Sequence, residues 1–151
     1  MRSLFLCLLL SAVFVLPAGA AVDTSKLQLP GDITLEQART VVEGALEFAK
    51  KQGVPMNITV VDAGGSLKAF CRMDGAFLGS IDISQKKAVT ARRFNMSSAE
   101  LGALAQPGKE LFGIEATNGG LAIFGGGELL RDRNGVIIGA IGVTGGSGQG
   151  D

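Results

Sequence analysis

A nearly uninterrupted apolar run covers residues 135–143, close to the end of the chain. Its apolar side chains occupy both alternating positions: Val136, Ile138 and Ala140 on one side, and Ile137, Ile141 and Val143 on the other. A strand with one face in water alternates apolar and polar residues, whereas a strand covered on both faces is apolar throughout. The pattern therefore predicts a central strand of a sheet.

An amphipathic helix is predicted over residues 34–52. Thr34 is followed three residues later by Gln37, the spacing of a capping box, and apolar residues then recur at helical intervals. Gly53 suits the left-handed residue that ends a helix. We expect this helix to cover one face of the sheet. Gly44 costs about 1 kcal/mol relative to alanine in a helix interior, which indicates close packing at that position.

Four further segments have the length and composition of strands: 56–61, 67–73, 121–124 and 128–131. A short glycine-rich link joins the first two, which predicts an antiparallel hairpin. Asn134 and Gly135 tolerate positive φ and predict a second hairpin that leads into the central strand. The sequence thus predicts five strands.

A second helix is predicted to begin at Ser80 or Asp82 and to end near Phe94, and a short third helix over 97–105 opens with another capping box. The second helix carries the most basic segment of the chain: Lys86, Lys87, Arg92 and Arg93. Two interpretations stay open. These residues form a solvated helix face, or at least one of them binds a ligand that bears a carboxylate.

The first twenty residues have the pattern of a signal peptide. Arg2 precedes an apolar core over 4–16, and the segment 18–20 (Ala-Gly-Ala) has the small side chains of a cleavage site. The alternative is a membrane anchor, but the apolar core is short for a bilayer. We expect cleavage, an irregular segment over 21–32, one domain over 33–151, and export to the periplasm or the extracellular space without a stable membrane anchor.

The amino-acid composition excludes several classes of catalytic and metal site. The chain has no His, Trp or Tyr, which excludes histidine-based acid–base catalysis, Ser–His and Cys–His triads, and zinc sites that use histidine. Cleavage removes Cys7 and leaves Cys71 alone, so no internal disulfide is expected. With 14 basic and 14 acidic residues, the chain has no basic excess that would indicate nucleic-acid binding.

Glycine runs and carboxylates add no specific motif. The run 125–127 lacks the Lys-Ser/Thr that follows a phosphate-binding loop, and tight turns explain the glycines better. No pair of the loop carboxylates has a spacing that defines a catalytic dyad: Asp62, Asp74, Glu115, Glu128 and Asp132.

Several blocks coincide, in order, with one family: 60–67 (VVDAGGSL), 72–76 (RMDGA), 83–91 (ISQKKAVTA), 119–127 and 134–143 (NGVIIGAIGV). Together they resemble the GlcG/HbpS haem-binding family, which includes the C-terminal domain of PduO-type proteins. The resemblance covers about residues 33–151. It implies an α+β, profilin-like fold with a five-stranded antiparallel sheet flanked by helices, homo-oligomers, and relatives that bind haem, degrade it slowly or act in redox sensing.

The resemblance implies haem as cofactor, and the basic candidates to pair with its propionates are Lys86, Lys87, Arg92 and Arg93. Because histidine is absent, the axial position falls to Met73, Met96, Cys71, a threonine such as Thr117, or water. Family members usually continue with a C-terminal helix, whereas this chain stops at Asp151. We therefore expect one face of the sheet to need that helix or a partner subunit.

The leading hypothesis is an exported haem- or tetrapyrrole-binding protein rather than an efficient enzyme. One alternative is an enzyme or accessory protein that acts on a small hydroxy acid through Asp62, Asp74 and the basic helix. Another is an oligomeric module that binds nothing specifically.

Overall fold

The structure is a computed structural model that describes residues 31–145. Within that range the elements are α1 Leu35–Gln52, β1 Asn57–Asp62, β2 Leu67–Arg72, α2 Gly79–Phe94, α3 Ser98–Leu104, β3 Gly127–Arg131 and β4 Ile137–Thr144, with a 3-10 turn at Ile114–Ala116. The predicted signal peptide, the segment 21–30 and the tail 146–151 lie outside the described residues. None of the described helices is long and apolar enough to cross a membrane.

The described strands form one antiparallel sheet in the order β2-β1-β4-β3. Strand β4 pairs with β1 on one side and with β3 on the other, so the predicted central strand is confirmed. The prediction of five strands is wrong, because residues 31–145 contain four. The profilin-like comparison stays a prediction, while the α+β class is confirmed.

The segment 121–124, which was predicted to be a strand, does not join the sheet, because its backbone groups form hydrogen bonds outside the sheet. The Leu121 N–H donates to the Glu115 carbonyl at 3.0 Å, and the Ala122 N–H donates to Thr90 Oγ1 at 3.1 Å. The Ile123 carbonyl oxygen lies against Gly102 of α3. Since these groups are bound to a helix side chain and a neighbouring turn, the segment packs on the helices instead of extending the sheet.

The predicted ends of α1 are confirmed, whereas the predicted start of α2 is not. Both hydrogen bonds of the capping box at Thr34 are present, and Gly53 ends α1 with a φ of 67°. The predicted caps of α2 are wrong, since α2 begins after Leu78 without a side-chain cap. The close packing predicted at Gly44 is also wrong, because no atom lies within 4 Å of the position its Cβ would take.

The two long helices cover opposite faces of the sheet. Ile58 and Val60 of β1 pack in the cluster that contains α1, whereas Val61 packs with Ala88 of α2. On this second face α2 contacts β1, β3 and β4, and on the first face α1 contacts β1 and β2; the need for a C-terminal helix or a partner subunit stays a prediction. A Cβ on Gly142 would lie 2.0 Å from the Ser84 carbonyl oxygen, so α2 rests directly on the backbone of β4.

A β-bulge changes which side chains share a face. Leu130 pairs with Gly139, but Arg131 pairs with Ile137, so one residue of β4 is skipped. Strict alternation would place Ile138 and Ile141 on opposite faces of the sheet. Because of the bulge, both residues pack in the same cluster.

Candidate functional site

The side chain of Lys87 is in the core. Its exposed fraction is 0%, its Nζ donates to the Val143 carbonyl at 2.9 Å, and it lies 4.9 Å from the centroid of the Phe124 ring. Val143 is one residue beyond the last β3–β4 pair, at Gly142, so Lys87 binds a carbonyl where the neighbouring strand has ended. The interpretation of a solvated face is wrong for this residue.

Lys86 and Arg93 share one flank of α2, two helical turns apart. Lys86 Nζ is 2.9 Å from Asp82 Oδ2 and 3.3 Å from the position of a Cβ on Gly120. Arg93 Nη1 donates to the Asn118 carbonyl at 3.3 Å. Both side chains thus contact the same turn, residues 117–120.

That turn holds Thr117 at the surface. The Thr117 hydroxyl donates to the Ile114 carbonyl at 2.7 Å and accepts from Asn118 Nδ2 at 2.9 Å. The next three residues all have positive φ, 56° at Asn118, 75° at Gly119 and 98° at Gly120. Only glycine, and to a lesser degree asparagine, adopts this conformation readily, which explains the local sequence. We call Lys86, Arg93 and Thr117 the basic flank.

Two predicted residues lie away from the basic flank. Arg92 Nη1 donates to Asn95 Oδ1 at 2.8 Å, and its Cγ is 3.9 Å from the position of a Cβ on Gly65, in the β1–β2 turn. Met73 packs on the α1 side, where its Sδ accepts from the Met56 N–H at 3.4 Å. Together with buried Lys87, half of the predicted ligand set is therefore dispersed.

The axial candidates are separated in the same way. Cys71 is half-buried in the cluster beneath α1, on the face of the sheet opposite α2. Met96 is half-buried just after the end of α2. Of Cys71, Met73 and Thr117, Thr117 is the one that belongs to the turn contacted by Lys86 and Arg93. Residues 31–145 contain no group of three or more Cys, Asp or Glu side chains that could hold a metal ion.

Among the loop carboxylates, Asp62 stabilises a turn and Glu128 has a shifted pKa. Asp62 Oδ1 accepts from the Gly64 and Ser66 N–H groups at 2.9 and 2.8 Å, which fixes the β1–β2 turn. Burial raises the pKa of Glu128, and the charge of Glu100 raises it further.

The sequence interpretation missed a groove between α1 and the edge strand β2. Its volume is about 460 Å³, and its lining residues are Leu35, Arg39, Val42, Glu43, Leu46, Lys68, Ala69 and Phe70. We call it the α1–β2 groove. A signal was present, because Arg39 follows Leu35 by four residues and precedes Val42 by three, a spacing that places it beside the apolar stripe.

A salt bridge fixes one end of the α1–β2 groove. Lys68 Nζ lies 2.8 Å from Asp32 Oδ2, and the Ala63 N–H donates to Asp32 Oδ1 at 3.0 Å. Burial raises the pKa of Asp32, but hydrogen bonds from Lys68, Ala63 and Ile33 and the charge of Lys68 outweigh burial. The pKa of Asp32 therefore lies below its usual value.

Known proteins resemble this chain over most of its length. The uncharacterized 15.0 kDa protein in the dhaT-dhaS intergenic region of Citrobacter freundii is 38% identical over 127 residues, or 84% of this chain and 89% of that protein. The corrinoid adenosyltransferase PduO of Salmonella typhimurium is 35% identical over 128 residues, or 84% of this chain, which spans 38% of the length of PduO.

A solved structure and a family model also match most of this chain. The crystal structure of a PduOC:heme complex superposes with a TM-score of 0.73 at 33% identity, covering 79% of this chain and 86% of that chain. The family model of the haem-degrading protein HbpS matches residues 33–151. The chain therefore belongs to the HbpS-like haem-degrading protein family, as the resemblance in its sequence predicted.

Proposed function

We propose that this protein binds haem at the basic flank. The observation that carries the proposal is the convergence of Lys86, Arg93 and Thr117 on one turn. The proposal is supported by membership of the HbpS-like family and by a relative whose structure is a haem complex. Two cations beside a surface hydroxyl fit the carboxylate edge of haem and offer an oxygen ligand to its iron.

The roles of the side chains follow from their chemistry. Lys86 and Arg93 bind the propionates, and Arg93 contributes a planar pair of donors that suits a carboxylate. The half-exposed ring of Phe124, held above Lys87, offers apolar surface to the macrocycle. Bound haem supplies a redox-active iron. Because the chain has no histidine, the iron would be held by an oxygen donor such as Thr117, and we expect a binding protein rather than an efficient enzyme.

The biological setting is part of the same proposal. The protein is exported to the periplasm or the extracellular space, forms homo-oligomers, and sequesters haem, degrades it slowly or senses redox state. The alternative of an enzyme acting on a small hydroxy acid has less support, because Asp62 is committed to a turn. Thermal stabilisation by small hydroxy acids without haem would favour that alternative.

A haemin titration tests the proposed site. Residues 21–151 are titrated with haemin, and the Soret band reports binding. Lys86→Gln/Arg93→Gln removes two charges from the flank, whereas Lys50→Gln/Lys51→Gln removes two exposed charges from the end of α1. Because hydrogen bonds to charged groups contribute about 1.5–3 kcal/mol each, we expect at least a tenfold loss of affinity in the first variant. The second variant should bind within twofold of the wild type.

Thr117→Val gives an independent readout of ligation. This change should alter the position of the Soret band and the spin state of the iron while affinity changes little. An unchanged spectrum would exclude Thr117 as a ligand. No Soret shift in the wild-type protein, or equal weakening in both double variants, would contradict haem binding at the basic flank.

A further inference from the structure

The α1–β2 groove is amphipathic along its length. Leu35 and Leu46 are eleven residues apart on α1, so the groove extends for roughly 16 Å at 1.5 Å per residue. Lys68, tied to Asp32 just before α1, lies toward the start of α1. Val42 and Leu46 line the other half. The end toward the start of α1 therefore carries Lys68, whose charge Asp32 balances, and the other end is apolar apart from Glu43.

Arg39 is the free cation of this groove. Within residues 31–145, its guanidinium makes no ion pair and no hydrogen bond, although Glu43 lies one turn further along the same helix. Lys68 differs, because its charge is balanced by Asp32 at 2.8 Å. A free guanidinium beside apolar side chains is suited to a carboxylate, which it binds through two parallel hydrogen bonds.

We propose that the α1–β2 groove binds small amphipathic monocarboxylic acids. The carboxylate binds Arg39, and the hydrocarbon body lies on Val42 and Leu46. The volume of about 460 Å³ is in the range of small-molecule sites, which combine an apolar lining with few polar groups. Glu43 on the lining disfavours a second carboxylate near the apolar end, so the groove selects monocarboxylates over dicarboxylates such as haem.

This site is distinct from the basic flank. Arg39 is on α1 and Arg93 is on α2, and the two helices cover opposite faces of the sheet. A ligand in the groove therefore does not contact the residues proposed to bind haem. The groove proposal does not rest on the haem proposal.

Octanoate binding to residues 21–151 at neutral pH, measured by calorimetry, tests the proposal. Arg39→Gln should weaken the affinity for octanoate at least tenfold and leave the affinity for 1-octanol unchanged, because only octanoate has a carboxylate that binds the guanidinium. Arg93→Gln, the matched control on the other face, should leave octanoate unchanged. Hexanoate should bind more weakly than octanoate, by about fourfold for each methylene that the groove covers.

Three results of these measurements would contradict monocarboxylate binding in the α1–β2 groove. If octanoate does not bind, or if Arg39→Gln and Arg93→Gln weaken it equally, the proposal is wrong. If sedimentation shows self-association that Leu46→Glu abolishes, the groove is an interface between copies and the proposal fails. If Arg39→Gln lowers haemin affinity instead, the groove is the haem site. Failure of octanoate binding with haemin binding intact removes this inference alone.

Discussion

Gly142→Ala tests the direct contact between α2 and the central strand. The new Cβ would lie 2.0 Å from the Ser84 carbonyl oxygen, 2.6 Å from the Ala88 nitrogen and 3.1 Å from the Ala88 Cβ. The two closest atoms are backbone, so no side-chain rotation relieves the clash. The φ angle of Gly142 is not in the left-handed region, so the substitution tests space and not backbone strain.

The expected loss follows from the displacement. To restore ordinary contact at 3.4 Å, α2 and β4 must separate by roughly 1.4 Å at this point. A gap of 0.5–1 Å already removes a quarter to a half of the dispersion attraction between facing atoms. We therefore expect the free energy of unfolding to fall by about 3 kcal/mol, at the upper end of the range for overpacked cores. The Tm should fall by about 10 °C.

Urea unfolding followed by far-UV circular dichroism measures the effect, with Gly44→Ala as the matched control. Gly44 is inside α1 with open space around it, so alanine should stabilise the protein by about 0.5–1 kcal/mol. A loss below 1 kcal/mol for Gly142→Ala, or equal destabilisation by both substitutions, would refute direct packing of α2 on β4.

Two further substitutions test buried charge. Asp32→Asn should cost about 1–2 kcal/mol at pH 7, because it removes the ion pair with Lys68. The folded pKa of Asp32 lies below its ordinary value of 3.8, so its contribution to stability is present above that pH and is lost as the pH falls further. The stability difference between Asp32→Asn and the wild type in urea titrations should therefore shrink below pH 4. Lys87→Met should cost about 2 kcal/mol in the same assay, because the Val143 carbonyl loses its donor, and haemin affinity should stay unchanged. A Lys87→Met protein that is stable but no longer binds haemin would restore Lys87 to the ligand set.

Much of the fold was predictable because its signals are local. The capping box at Thr34, the left-handed end at Gly53 and the turn at Gly135 depend on residues a few positions apart. The centrality of β4 was predictable for a different reason, since burial on both faces leaves its trace in composition. Family membership was also visible in the sequence, because the order of several short blocks is more specific than any one of them.

The candidate site was predictable only in part. The basic composition of α2 is explicit in the sequence, but the direction of each side chain is not. A difference of one residue, about 100° around a helix, separates buried Lys87 from Lys86 on the flank. Which cations are paired was not visible in the sequence either. Arg39 and Lys68 look equivalent along the chain, yet one is free and the other is held by Asp32.

The sequence by itself determined where the helices form, how α1 and α3 are capped, that the apolar run near its end contains the central strand β4, and which family the chain belongs to. Tertiary structure decided that the segment 121–124 packs on helices, that a bulge places Ile138 beside Ile141, and that α2 covers the second face of the sheet. The physical reason is the range of the interactions. Caps and turns involve neighbours in the chain, whereas the partners of Ala122, Gly142 and Lys87 lie between 32 and 58 residues away and become neighbours only when the sheet has formed.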